Sequence, residues 1–107
     1  MSKLFAHQNK GHARIHAQLN LQITREDDCF VVYCPDLELS SHGDTPEEAK
    51  KNFAEVLDIF FDDITERGTL AEVLQECGWT FVENEEEPLW VPPAIIARET
   101  YSLDRKV

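Results

Sequence analysis

The eight residues His42-Gly43-Asp44-Thr45-Pro46-Glu47-Glu48-Ala49 spell the end of a strand and the start of a long amphipathic helix. Gly43 admits a backbone of positive φ, which other residues adopt at a cost. Thr45 and Glu48 stand at the Thr-x-x-Glu spacing of a capping box, whose two side chains accept from otherwise bare amides. Pro46 falls on the first helical position, where a missing N–H loses nothing. Glu47 and Glu48 set negative charge at the positive end of the helix dipole. The junction fixes where the helix begins and carries no chemistry of its own.

Downstream of it, Ala49, Phe53, Val56, Leu57, Phe60 and Ile64 recur at spacings of three and four, an apolar stripe suited to packing on a sheet. The opposite face carries Glu47, Lys51, Glu55, Asp58, Asp62 and Glu66. Gly68 predicts a left-handed end to the helix. Thr69-Leu70-Ala71-Glu72 repeats the capping-box spelling and opens a short second helix, which Gly78 stops.

Upstream, Ala13, Ile15, Ala17, Leu19, Leu21 and Ile23 alternate with polar residues, the period of a strand with one buried face. Arg25 to Asp28 forms a polar turn, and Cys29 to Cys34 reads as the second strand of a hairpin. Leu37 to Ser41 offers a third strand after Pro35-Asp36, and Trp79 to Val82 a fourth. The order β-β-β-α-α-β predicts an α+β domain, an antiparallel sheet of three to four strands with helices on one face. Residues 1–12 read as a flexible arm, 13–83 as the domain and 84–107 as an extension. Within the extension, Ile95, Ala97, Tyr101 and Leu103 fit one face of an extended segment, although Pro92-Pro93 could equally introduce a helix. Trp90, Ile95, Tyr101 and Leu103 are the candidate interface of a homo-oligomer, a dimer or tetramer.

Ten Lys and Arg against 21 Asp and Glu give a formal net charge of -11. That balance argues against gripping phosphate backbones, which takes cations. It suits a basic protein partner, through complementary fields and faster encounter. The opening Met1 to His7 lacks the apolar core of a secretory signal, so a cytoplasmic location is expected. No apolar run approaches the ~20 residues of a bilayer span, so no membrane is expected. Cys29, Cys34 and Cys77 are odd in number and lack a Cys-x-x-Cys pair; they read as small apolar residues.

Catalytic constellations are weak. The four glycines form no phosphate-cradling loop. His12 and His16 offer two metal ligands at most, without a carboxylate to orient them. Ser40 or Ser41, His42 and Asp44 are neighbours on an extended segment and project to alternate faces, a poor start for a nucleophilic triad. Asp36 and Asp44 could pair around a divalent ion as in a nuclease, but each also has an ordinary turn or helix-start reading. Trp79, Trp90 and the phenylalanines read as core, since a base-stacking platform needs a basic groove. The expectation is a protein that is no enzyme, with no cofactor and no metal.

The wording Phe30-Val31-Val32-Tyr33-Cys34-Pro35-Asp36-Leu37, then Gly43-Asp44-Thr45-Pro46-Glu47-Glu48-Ala49 with Asn52-Phe53, resembles the HicB-like antitoxin family. Leu74-Gln75-Glu76-Cys77-Gly78-Trp79 resembles that family's second helix and its glycine-aromatic entry to the last strand. The likeness covers roughly residues 17–83. It implies a partial ribonuclease-H-like fold and an antitoxin that masks a small basic RNA-cleaving toxin of the HicA type. No catalytic acids carry over. Many relatives add an operator-binding helix-turn-helix or ribbon-helix-helix, and the residues after Asn84 show no such pattern, so direct DNA binding is not expected. Arg98, Arg105 and Lys106 are a thin basic tail. On the acidic helix face, Glu47, Glu55, Asp58 and Asp62 are the candidate partner-binding residues. The alternatives are a homo-oligomeric regulatory or structural domain without a toxin and, third, a metal-dependent nuclease using Asp36 and Asp44.

Overall fold

The computed structural model describes residues 14–83 and 88–107, so the expected arm over 1–12 and most of the acidic loop lie outside the described residues. The chain runs β1 (Arg14–Ile15), β2 (Gln22–Glu26), β3 (Cys29–Cys34), β4 (Leu39–Gly43), α1 (Pro46–Arg67), α2 (Leu70–Glu76), β5 (Thr80–Val82) and β6 (Leu89–Val91). The class is α+β, as the element order predicts. Its strands form two three-stranded sheets instead of one: β2-β3-β4, an antiparallel meander, and β1-β6-β5, in which β1 runs parallel to β6.

The long alternating run upstream of the hairpin is therefore not one strand. Exposure still alternates along residues 14–19, but the backbone changes partners between Ile15 and Gln22. β3 is six residues long and pairs with Gln22 to Glu26, which takes the end of the run and the first two residues of the expected turn, leaving Asp27-Asp28 as the turn. The earlier part pairs with Leu89 and Trp90, a partner far away in sequence. The third of the predicted strands also shifts: residues 35–38 form a turn and β4 runs from Leu39 to Gly43.

The β4–α1 junction obeys the sequence signals with two differences. Thr45 Oγ1 accepts from the Glu48 amide at 3.0 Å, and the Glu48 carboxylate accepts from the Asp44 amide, one residue before the capping threonine. Gly43 does not have a positive φ. It lies in β4 opposite Phe30, and a Cβ there would meet Ala49 N at 2.6 Å and Glu48 C at 2.9 Å. Glycine is needed because the helix backbone presses on the strand. Two hydrogen bonds hold that contact, Ser41 Oγ to the Ala49 carbonyl and Asn52 Nδ2 to the His42 carbonyl, both at 2.8 Å. Gly68, at φ 73°, ends α1 as expected, and the Thr69 amide closes the turn on the Ile64 carbonyl. The second capping box does not form. The Thr69 hydroxyl turns back to the Ile64 carbonyl at 3.5 Å, committed to closing α1 instead of opening α2.

The core joins both sheets to both helices through Val32, Cys34, Leu37, Ala49, Phe53, Leu74, Trp79 and Trp90. α1 lies over β4 and β3, and all five residues of the edge strand β2 are exposed. Trp90 is fully buried, its ring 5.2 Å from that of Phe81. This corrects two expectations. Trp90 belongs to the core, not to an interface, and the fold continues past residue 83 to β6. Alternation along 79–82 cannot reveal β6, because the tryptophan that completes the sheet lies beyond the acidic stretch 83–87.

Gly43→Ala is expected to cost about 3 kcal/mol by overpacking the junction, against within ~0.5 kcal/mol for Ser40→Ala on the exposed side of β4. Urea denaturation distinguishes them; equal small effects would mean that α1 does not press on β4.

Candidate functional site

Asp36, read from sequence as a possible metal ligand, is a buried carboxylate in the β3–β4 turn. Its Oδ2 accepts from the Asn20 amide at 2.8 Å and from Asn20 Nδ2 at 3.3 Å. Its main-chain carbonyl accepts from Trp79 Nε1 at 2.8 Å. Asn20 Oδ1 in turn accepts from Arg98 Nη2 at 3.1 Å. One residue thus fastens the segment before β2, the indole that leads into β5 and, through Asn20, the last stretch of chain. Asp44 is exposed at the opposite end of β4. Five strand residues separate the two acids, roughly 17 Å at 3.3 Å per residue, so they cannot share an ion.

The other candidates disperse as well. Ser41 is buried and donates to Ala49, whereas His42 is exposed on the other side of β4. His16 is exposed, and His12 lies outside the described residues. Among the described residues no three His, Cys, Asp or Glu side chains gather as a metal site, and no helix is long and apolar enough to cross a membrane. Cys34 is buried, while Cys29 and Cys77 are half-buried. Burial pushes the Cys34 thiol upward, partly offset by the amides of Leu37 and Asp36, with the Asp36 charge adding to the rise. Burial, then the charges of Glu38 and Glu76, raises Cys77 as well. Both thiols are kept protonated at neutral pH and are poor nucleophiles.

Three surface features remain. The first is an open apolar cleft of about 260 Å³, lined by Ile15, Ala17 and Leu19 on one side, by Leu57 and Phe61 of α1, and by Trp79. Sequence reading put Ile15, Ala17 and Leu19 on a buried strand face; the strand break leaves them at a cleft instead. Phe61 escaped the predicted stripe, although it stands four residues after Leu57, on the same side of the helix. The second is the outer face of α1, where Glu47, Glu55, Asp58 and Asp62 are all exposed, and Ile59 is 68% exposed among them. The third is the stretch 92–107, which has no regular secondary structure. Ile96, Tyr101 and Leu103 on it are 97%, 93% and 81% exposed, and Ile95 about half. Within the chain this segment does not pack on either sheet through these residues; Arg98 ties it to Asn20, a role that sequence reading missed.

No family model matches this chain, and no curated protein or solved structure matches it. The HicB-like wording thus stands on the residues quoted for it.

Asp36→Ala is expected to cost about 1–3 kcal/mol, since it leaves the half-buried Asn20 donors without their acceptor. Asp44→Ala should stay within ~0.5 kcal/mol. Equal costs in chemical denaturation would contradict the fastening role. A second test uses pH. The folded protein holds the Cys34 proton where the unfolded chain releases it, so this contribution is intact below the free-thiol value of ~8.5 and fades as pH rises past it. The unfolding temperature should fall from about pH 8 to about pH 10 and fall less steeply in Cys34→Ala; parallel slopes would refute the assignment.

Proposed function

We propose that this protein is a binding module that covers another macromolecule, in the manner of a HicB-like antitoxin masking a small basic RNA-cleaving toxin of the HicA type. The observation that carries the reading is the exposed acidic face of α1, where Glu55 and Asp62, one turn before and one turn after it, border the exposed Ile59 and Asp58 stands beside it in sequence. An exposed apolar side chain bordered by acidic charge suits the docking of a partner of opposite charge: the charges steer encounter, and the apolar side chain is what desolvates. The net charge of -11 adds a long-range attraction for a basic partner. On this reading the fold is the finer, partial ribonuclease-H-like variety of α+β, the protein acts in the cytoplasm, and it makes or breaks no covalent bond itself. It needs no cofactor and no DNA contact of its own. The exposed apolar residues of 94–107 favour a second reading, a homo-oligomeric regulatory or structural domain without a toxin.

Affinity capture of the tagged protein from its own cells, followed by mass spectrometry, should recover a short basic protein that degrades RNA when freed. Reversing Glu55, Asp58 and Asp62 to Lys should slow association by roughly tenfold or more at low salt and leave folding intact. Recovery of no basic partner, or an association rate indifferent to the reversal and to salt, would contradict the masking role.

A further inference from the structure

We propose that two copies of this chain exchange arms, residues 94–107 of each lying in the Ile15–Leu57–Phe61–Trp79 cleft of the other. The inference is independent of whether a toxin is bound. Its first ground is that the arm is built for burial and is not buried. Tyr101 and Leu103 share one face of an extended segment, and in the single chain both are almost fully exposed. The radius of gyration is 17.1 Å, against about 13 Å for a compact chain of this length. The longest dimension, 56 Å, is about twice the other two, 30 and 25 Å. A fourteen-residue extended segment spans up to roughly 46 Å, enough to reach across a neighbouring copy.

The second ground is that the chain has the complementary cleft but cannot readily fill it with its own arm. Along residues 14–19 exposure alternates, with Ile15, Ala17 and Leu19 turned to the cleft. Asn20, next in the chain after Leu19, binds Arg98. Neither Asn20 nor any residue of 94–107 lines the cleft, so the Arg98–Asn20 bond holds the arm of the same molecule outside it. A second molecule approaches the cleft from its open side.

The third ground is charge. The arm carries Arg98, Arg105 and Lys106 against Glu99 and Asp104, a side-chain net of +1. Residues 1–93 therefore carry -12 of the chain's -11. An apolar arm of positive sign suits the acidic body of its own kind, and would be repelled, if weakly, by a basic partner. Reciprocal exchange uses each arm and each cleft once and closes a two-fold dimer with no surface left over to propagate.

The test is complementation between full-length variants. In sedimentation or light scattering the natural chain should be a dimer, and Tyr101→Asp with Leu103→Asp in the arm should weaken it by at least roughly tenfold in Kd. Ala17→Trp, which fills the cleft, should do the same. Mixing the two variants should restore association, because the pair still has one intact arm and one intact cleft. A peptide of residues 94–107 should also dissociate the natural dimer, a readout that needs no variant to fold. A natural chain that stays monomeric at about 100 µM overturns the proposal and leaves the arm to a different protein. A dimer that survives both variants, or variants that each dissociate without complementing, overturns it too.

Discussion

Around Asp36 three stretches of chain that are distant in sequence meet on one residue: its carboxylate takes the amide and side chain of Asn20, and its carbonyl takes the indole N–H of Trp79. A carboxylate this deeply buried is costly unless hydrogen bonds replace its water. Here they do, and the donors belong to segments that the two sheets would otherwise leave independent. β2-β3-β4 is joined to β1-β6-β5 without a shared strand, so the joint between them rests on side-chain packing and on this node. Trp79 serves both. Its ring lies in the core and lines the cleft, and its nitrogen is held by the turn.

What could be read from the sequence follows from how local each signal is. The span of α1 was legible to the residue, because Thr45, Pro46 and Gly68 are capping chemistry whose partners are four residues away or fewer. The hairpin β2–β3 was legible for the same reason. The split of the first strand was not, since alternation reports a buried side and a wet side but not the backbone partner, and Ile15 finds Trp90 across most of the chain. Gly43 was read for the wrong reason: its lack of a side chain matters through the approach of Ala49, a contact that exists only once the helix has docked. Asp36 illustrates the same limit for the site. A lone acid after proline suggests a turn or a ligand, and nothing in the neighbouring residues names Asn20 or Trp79 as its donors. Arg98 looked like a solvated tail residue until the fold brought Asn20 beside it.

The functional features are distributed accordingly. Groups that suggest chemistry in one dimension, Asp36 and Ser41 among them, are occupied in holding the fold. What the fold leaves outward is an acidic helix face bordered by Ile59, an apolar cleft, and an arm with apolar residues in water. These are features suited to contact with macromolecules, and they lie on different parts of the chain. A protein that masks one partner through α1 and pairs with its own kind through residues 94–107 would use both without competition between them.

Hydrogen exchange at the Trp79 indole, followed by nuclear magnetic resonance, tests the Asp36 node most directly. If that node joins the sheets, the indole proton should exchange only through global unfolding, with the protection of the slowest amides of α1 around Phe53. Exchange within minutes, while those α1 amides remain protected, would show that the bond opens freely and that the sheets are held by something else.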